Sequence, residues 1–169
     1  GTCRGLTAAD LEADESVAWR LDMAAALERL MADGKDLRTP VLDAGAPVDF
    51  RMLAEATGDV VLCRRDIGTS YHLSVTVDDA AQNVTHVMRG QDMHEATALH
   101  RVLQALLDLP TPTYSFHPLI MAADGSHKLS KRDGAEGLAA LREAGYRPAQ
   151  VRAMARAAVD PAADSAAAA

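Results

Sequence analysis

The sequence predicts a mixed α/β fold, and two observations carry that reading. Short β-branched runs bounded by turn residues recur at Asp59–Cys63 and Val84–Met88. Around them lie helical stripes, the clearest formed by Leu99, Val102, Leu103, Leu106 and Leu107 and closed by Pro110. Extended and helical segments therefore interleave, as a sheet with helices packed on it requires.

Taken in order, residues 7–33 are rich in Ala and Leu and read mainly as helix, with Thr7 as N-cap and Gly34 as stop signal. Trp19-Arg-Leu-Asp22 fits either a strand leading into that helix or the helix itself. Residues 34–58 carry three glycines and two prolines and read as loop with short extended pieces. Residues 71–79 are ambiguous: Val75, Thr76 and Val77 favour a strand, whereas Leu73 and Val77 lie four apart with Ala80 and Ala81 following. Asp92 with Glu95 three positions on has the spacing of a capping box at the start of the next helix. Tyr114–Met121 reads as extended and ends at the turn Ala123-Asp-Gly125. Residues 135–158 read as two short helices broken around Gly145 and Pro148, before an Ala-rich tail from Asp160 to Ala169.

Composition narrows the function classes. At 169 residues the chain is about one domain's worth, long enough to bury a core. No apolar run approaches the length of a membrane span, so no membrane partner is expected. The net charge of −7 does not suit a general nucleic-acid binder, though a local basic patch can act within an acidic whole. Cys3 and Cys63, sixty residues apart, make no disulfide framework, and a reducing compartment, the cytoplasm, is expected. Cys63 on its strand reads as a small core residue.

The densest chemical feature is Asp124-Gly-Ser-His-Lys-Leu-Ser-Lys-Arg132. Lys128, Lys131 and Arg132 follow a flexible turn, with Ser130 as a hydrogen-bond donor. Such a loop can surround a polyphosphate and stabilise charge developing on phosphorus. A basic pentamer on its own is more often a solvated loop.

The segment resembles the KMSKS signature of class I aminoacyl-tRNA synthetases, in the K-L-S-K form found among glutamyl enzymes. Asp59-Val-Val-Leu-Cys-Arg-Arg-Asp66, Thr69-Ser-Tyr-His-Leu73, Val77-Asp-Asp79, Thr85-His-Val-Met-Arg-Gly-Gln-Asp92 and His117-Pro-Leu-Ile-Met121 match the same family in order. The resemblance covers residues 58–146. It implies the C-terminal half of a Rossmann-like class I aminoacyl-tRNA synthetase catalytic domain with a short helical C-terminal segment. In that reading 1–57 is the remainder of an inserted acceptor-binding, zinc-type subdomain. Residues 58–134 are then the second half of the Rossmann-like domain, and 135–169 a helical tail. Residues 70–82 become a crossover helix, against local propensity.

The resemblance also implies roles. Tyr71 and Arg89 fall on the family's glutamate-binding residues, and Lys131 on the ATP-binding second lysine. Lys128, Ser130 and Arg132 complete the expected ATP loop, with Lys128 and Lys131 as the catalytic pair. Arg89, near a strand end and ahead of a helix, is well placed to grip a carboxylate. The related glutaminyl enzymes carry no arginine at its equivalent, which suits glutamate over glutamine. Tyr71 as a half-buried aromatic, and Arg89 paired with Asp92 or Asp79, are the structural alternatives. Asp78 and Asp79 either orient Arg89 or terminate the crossover helix.

The short stretch after Arg132 and the Gly68–Leu73 and Gly90–Met93 variants resemble the family branch that attaches glutamate to the queuosine base of tRNA(Asp). The expected partners are glutamate, ATP with Mg2+ and tRNA(Asp), acting on a monomer. No HIGH-type motif is found, so the chain alone is expected to be weak or inactive. Cys3 resembles the last ligand of a zinc-binding insert, and one Cys cannot hold a tetrahedral zinc, so no metal is expected here. A shortened protein-synthesis glutamyl-tRNA synthetase, a non-catalytic synthetase-derived binding module and a generic nucleotidyltransferase are the alternatives. Tyr114 and Phe116 are the nearest stacking candidates for tRNA bases, with core packing the preferred role for both.

Overall fold

Trp19-Arg-Leu21 is too short to show a period, yet it forms a strand because a partner is available elsewhere in the chain. In the computed structural model, which describes residues 17–42, 47–122, 128–129 and 137–159, β1 (Trp19–Leu21) pairs antiparallel with β4 (Val60–Cys63). Helix α1 (Met23–Ala32) follows at once. Its N-terminus is capped twice: Asp22 Oδ1 accepts from Ala25 N at 3.0 Å, and Asp59 Oδ1 from Met23 N at 3.1 Å. Of the two readings open for Trp19–Asp22, the structure has the strand leading into the helix, with Asp22 as its cap. Thr7 and Cys3 lie outside the described residues, as do Ser130, Lys131, Arg132 and the Ala-rich tail.

Gly34 ends α1 as expected. Its φ of 66° lets Gly34 N and Lys35 N turn back to the carbonyls of Met31 and Leu30, the paired bonds of a Schellman motif. Asn83 and Asp108 end later helices in the same left-handed conformation. Short strands β2 (Arg38–Thr39) and β3 (Val48–Asp49) pair antiparallel and lead into α2 (Arg51–Thr57).

From β4 onward strand and helix alternate: α3 (Tyr71–Ala81), β5 (His86–Gly90), α4 (His94–Leu106) and β6 (Thr113–His117). This is the α/β alternation the resemblance implies, and α3 is a helix where local propensity favours a strand, although the strands on either side of it, β4 and β5, lie in different two-stranded sheets. Ser70 caps it by accepting from Leu73 N, and the buried Thr76 hydroxyl donates to the His72 carbonyl at 2.8 Å. These bonds help offset a penalty of up to about 0.7 kcal/mol for each β-branched residue. Strand β5 starts at His86 rather than Val84 because Val84 N is spent on the Asp79 carbonyl at the helix end. β5 and β6 pair in a third two-stranded sheet, and Val41 forms a parallel bridge to Tyr114. β6 stops at His117, before Pro118, which has no N–H to donate. Helices α5 (Leu138–Glu143) and α6 (Pro148–Val159) break at Gly145 and Pro148, as expected.

The chain divides into two compact units, Gly1–Val87 with Met93–Ser115, and Met88–Asp92 with Phe116–Ala169. The described core lies in the first. Met23, Leu30, Leu37, Ala54, Leu99 and Val102 are all almost fully buried. Helix α4 packs against α1, α2 and α3, and its residues 97–104 are buried all round. That burial takes in His100, Arg101 and Gln104, which the apolar stripe does not reveal. Leu107, expected on the stripe, is instead the exposed C-cap.

Candidate functional site

Tyr71 opens α3 at its first helical position, directly after the Ser70 cap. It is 55% exposed. Among the described residues its hydroxyl has no hydrogen-bond partner, so the alternative of a half-buried, satisfied tyrosine does not hold. The ring rests on two imidazoles instead. Its centroid lies 5.3 Å from that of His72 in an edge arrangement and 5.8 Å from that of His100. His72 Nδ1 and His100 Nε2 share a hydrogen bond at 3.1 Å. His100 is 1% exposed.

Beside that cluster α4 carries a buried polar network. Arg101 Nε donates to the Thr39 hydroxyl at 2.7 Å, Nη1 to Gln104 Oε1 at 3.0 Å and Nη2 to the Asp36 carbonyl at 3.1 Å. Gln104 Nε2 in turn donates to the Tyr114 hydroxyl at 3.1 Å. Burial pulls the guanidinium pKa below its ordinary value, against the opposing influence of Tyr114 and Asp36. Tyr114 is fully buried here, which makes it a core residue and not a stacking platform. Phe116 is half-buried.

The second unit holds Arg89 and Lys128. Arg89 is half-buried on β5, one residue before Gly90. Lys128 is fixed by its backbone, through an antiparallel bridge to Met121 and a bond from Leu129 N to the Ile120 carbonyl at 2.8 Å. Its ammonium pairs with the Asp92 carboxylate. That pairing holds the Asp92 carboxyl below the ordinary aspartate range, chiefly through the hydrogen bond from Lys128.

The expected capping box at Asp92 and Glu95 is thus corrected. Residues Gln91–Met93 form one 3₁₀ turn, Met93 becomes the N-cap of α4, and no side chain caps it. Gly90 makes room for the new geometry: a Cβ there would lie 2.5 Å from Asp92 Oδ1 and 3.0 Å from Leu119 Cδ2.

Of the residues predicted from sequence, Arg89 and Lys128 belong to one unit and Tyr71 to the other. Asp78 is exposed and Asp79 half-buried. Their carbonyls accept from Gln82 N and Val84 N at the end of α3. His72, His100 and Asp92 as the Lys128 partner escaped the sequence reading. The one available signal was a histidine at 100 inside an otherwise apolar stripe. Cys63 is free and half-buried on β4. Among the described residues no group of three or more His, Cys, Asp or Glu gathers as a metal-ligand set, and no helix is long and apolar enough to cross a membrane.

The chain is similar in sequence to known proteins. Over 100 residues the chain is 55% identical to a Rhodobacter capsulatus protein described as glutamyl-Q tRNA(Asp) synthetase, covering 59% of this chain and 36% of that one. A Nocardia farcinica protein of the same description is 42% identical over 157 residues, covering 91% of this chain and 46% of that one. A solved glutamate-tRNA synthetase from Elizabethkingia anophelis superposes with a TM-score of 0.47 at 23% identity, over 75% of this chain and 25% of that one. The chain spans less than half the length of these two curated relatives. The family described as tRNA synthetases class I (E and Q), catalytic domain, matches residues 39–167, well over half the chain, and the chain belongs to that family.

Proposed function

We propose that this chain supplies the glutamate-holding and nucleotide-loop part of an ATP-dependent ligase that activates glutamate and transfers it to tRNA. The acceptor in this reading is the queuosine base of tRNA(Asp), in keeping with the descriptions of the two curated relatives. One observation carries the proposal: a single unit gathers Arg89 and Lys128, with Asp92, three residues past Arg89, holding the Lys128 ammonium.

In the first step a glutamate carboxylate oxygen attacks the α-phosphorus of ATP and the bond to pyrophosphate breaks. In the second a hydroxyl of the queuosine base attacks the activated carbonyl and AMP leaves. Both are displacement steps at positioned electrophiles, so orientation and charge neutralisation carry the catalysis and no side-chain nucleophile is required. Arg89 grips the carboxylate that distinguishes glutamate from glutamine, and the Tyr71 hydroxyl donates to glutamate. Lys128, Ser130, Lys131 and Arg132 hold the ATP phosphates, with Lys128 and Lys131 as the catalytic pair. Magnesium arrives with ATP, whose phosphates supply oxygen ligands. The protein acts as a cytoplasmic monomer.

ATP–pyrophosphate exchange tests this reading. Exchange by the chain alone is expected to be weak, and whatever exchange occurs should depend on glutamate and disappear in Lys131→Ala. Exchange that runs equally well without glutamate contradicts it and points to a general nucleotidyltransferase.

A further inference from the structure

We infer that His100 is a positioning residue for glutamate recognition, acting through His72 to hold the ring of Tyr71. The inference rests on the proposed role of Tyr71 in binding glutamate, and it adds to that role a residue with no contact to the ligand.

The argument begins with Tyr71 itself. At the first position of α3 it has no preceding helical turn to restrict its side chain, and more than half of its surface faces solvent. A tyrosine so placed samples several rotamers, and a ligand that needs one of them bears the cost of ordering it. Two imidazoles supply the restraint. The Tyr71 ring packs against His72 at 5.3 Å and against His100 at 5.8 Å, and the two imidazoles lie 5.3 Å apart.

His100 is the fixed member of the three. It belongs to the buried stretch of α4, between Leu99 and Arg101, which are 1% and 5% exposed. Its Nε2 meets His72 Nδ1 at 3.1 Å, so one ring donates and the other accepts. That bond orients an imidazole whose neighbour in sequence is the tyrosine. A buried anchor thus fixes a half-buried ring, and both support an exposed one whose hydroxyl has no partner among the described residues. This is the arrangement expected where a binding group is held ready by supporting residues rather than ordered by its ligand.

Calorimetric titration of glutamate into the whole chain tests the inference, using the parent sequence, Tyr71→Phe, His100→Ala and His100→Gln, with a thermal melt of each. Tyr71→Phe should weaken glutamate binding. His100→Ala should weaken it by about 3- to 10-fold, the cost of re-ordering one side chain. His100→Gln, whose amide reaches about as far as the imidazole Nε2, should restore the bond to His72 and bring the Kd back to within about twofold of the parent.

Binding that weakens in Tyr71→Phe but not in His100→Ala overturns the inference and leaves the role of Tyr71 intact. Equal weakening in His100→Ala and His100→Gln, each in step with a lower Tm, also overturns it and makes His100 a packing residue. Binding unchanged in Tyr71→Phe, or absent from the parent chain, removes the proposed function and this inference together.

Discussion

Asp92 and Lys128 form an ion pair across 36 positions of sequence, joining the turn after β5 to the first lysine of the signature segment. Both groups are partly exposed, at 31% and 52%, so the pair adds little to overall stability. Its consequence is local: the pair gives the Lys128 ammonium a fixed address.

The pair makes a prediction about pH. The Asp92 pKa is lowered in the folded chain, chiefly by the hydrogen bond from Lys128. A depressed carboxylate contributes stability above its unfolded pKa of about 3.9, and that contribution is lost as pH falls through the lower folded value. The link therefore persists throughout the neutral range and breaks only in acid. Titration of the Asp92 carboxyl carbon by NMR should show a midpoint below that of an ordinary aspartate, moving up in Lys128→Ala. An identical midpoint in the two proteins would disprove the pairing.

Gly90 should be sensitive to a single methyl group. A Cβ would sit 2.5 Å from Asp92 Oδ1, so Gly90→Ala must swing that carboxylate aside. The expected result is an Asp92 midpoint close to that of the Lys128→Ala protein. Because the displaced atom ends a short, partly exposed side chain, the loss of stability should stay near 1 kcal/mol or below. Retention of the low Asp92 midpoint in Gly90→Ala would show that the backbone yields instead.

Arg101 carries more weight in the first unit. Replacing it with Met keeps much of the volume but removes the donors to the Thr39 hydroxyl, Gln104 Oε1 and the Asp36 carbonyl. Leaving buried acceptors unpaired should cost about 3 kcal/mol. Urea denaturation should show that loss at an unchanged slope. A change below about 1 kcal/mol would mean that water or a local shift satisfies those groups.

What could be read from the sequence follows from how local each signal is. The ends of α1 and α5 were visible because Gly34 and Gly145 are chain-local signals for a left-handed turn. The apolar residues Leu99, Val102 and Leu103 marked α4 correctly, yet the same pattern could not show that His100, Arg101 and Gln104 are buried beside them. Their partners lie on α3, on β6 and around β2. Strand β1 was left open for the same reason: Trp19 pairs with Cys63, and three residues have no period to display.

At Asp92 a local pattern misled, because the capping-box spacing assumes that the helix starts there. One 3₁₀ turn moves the start to His94 and frees the carboxylate for Lys128. Helix α3 is the converse case. Val75, Thr76 and Val77 favour a strand, and the ordered motifs around them identified the helix that Ser70 and Thr76 stabilise.

The central claim is that these residues recognise glutamate, and Arg89 is its sharpest point. The decisive measurement is calorimetric binding of glutamate and of glutamine to the chain and to Arg89→Ala. The account predicts that glutamate binds more tightly than glutamine, and that Arg89→Ala loses about tenfold or more for glutamate with little change for glutamine, as removal of a charge-assisted contact should. Equal affinity for the two amino acids, or unchanged glutamate affinity in Arg89→Ala, would contradict it.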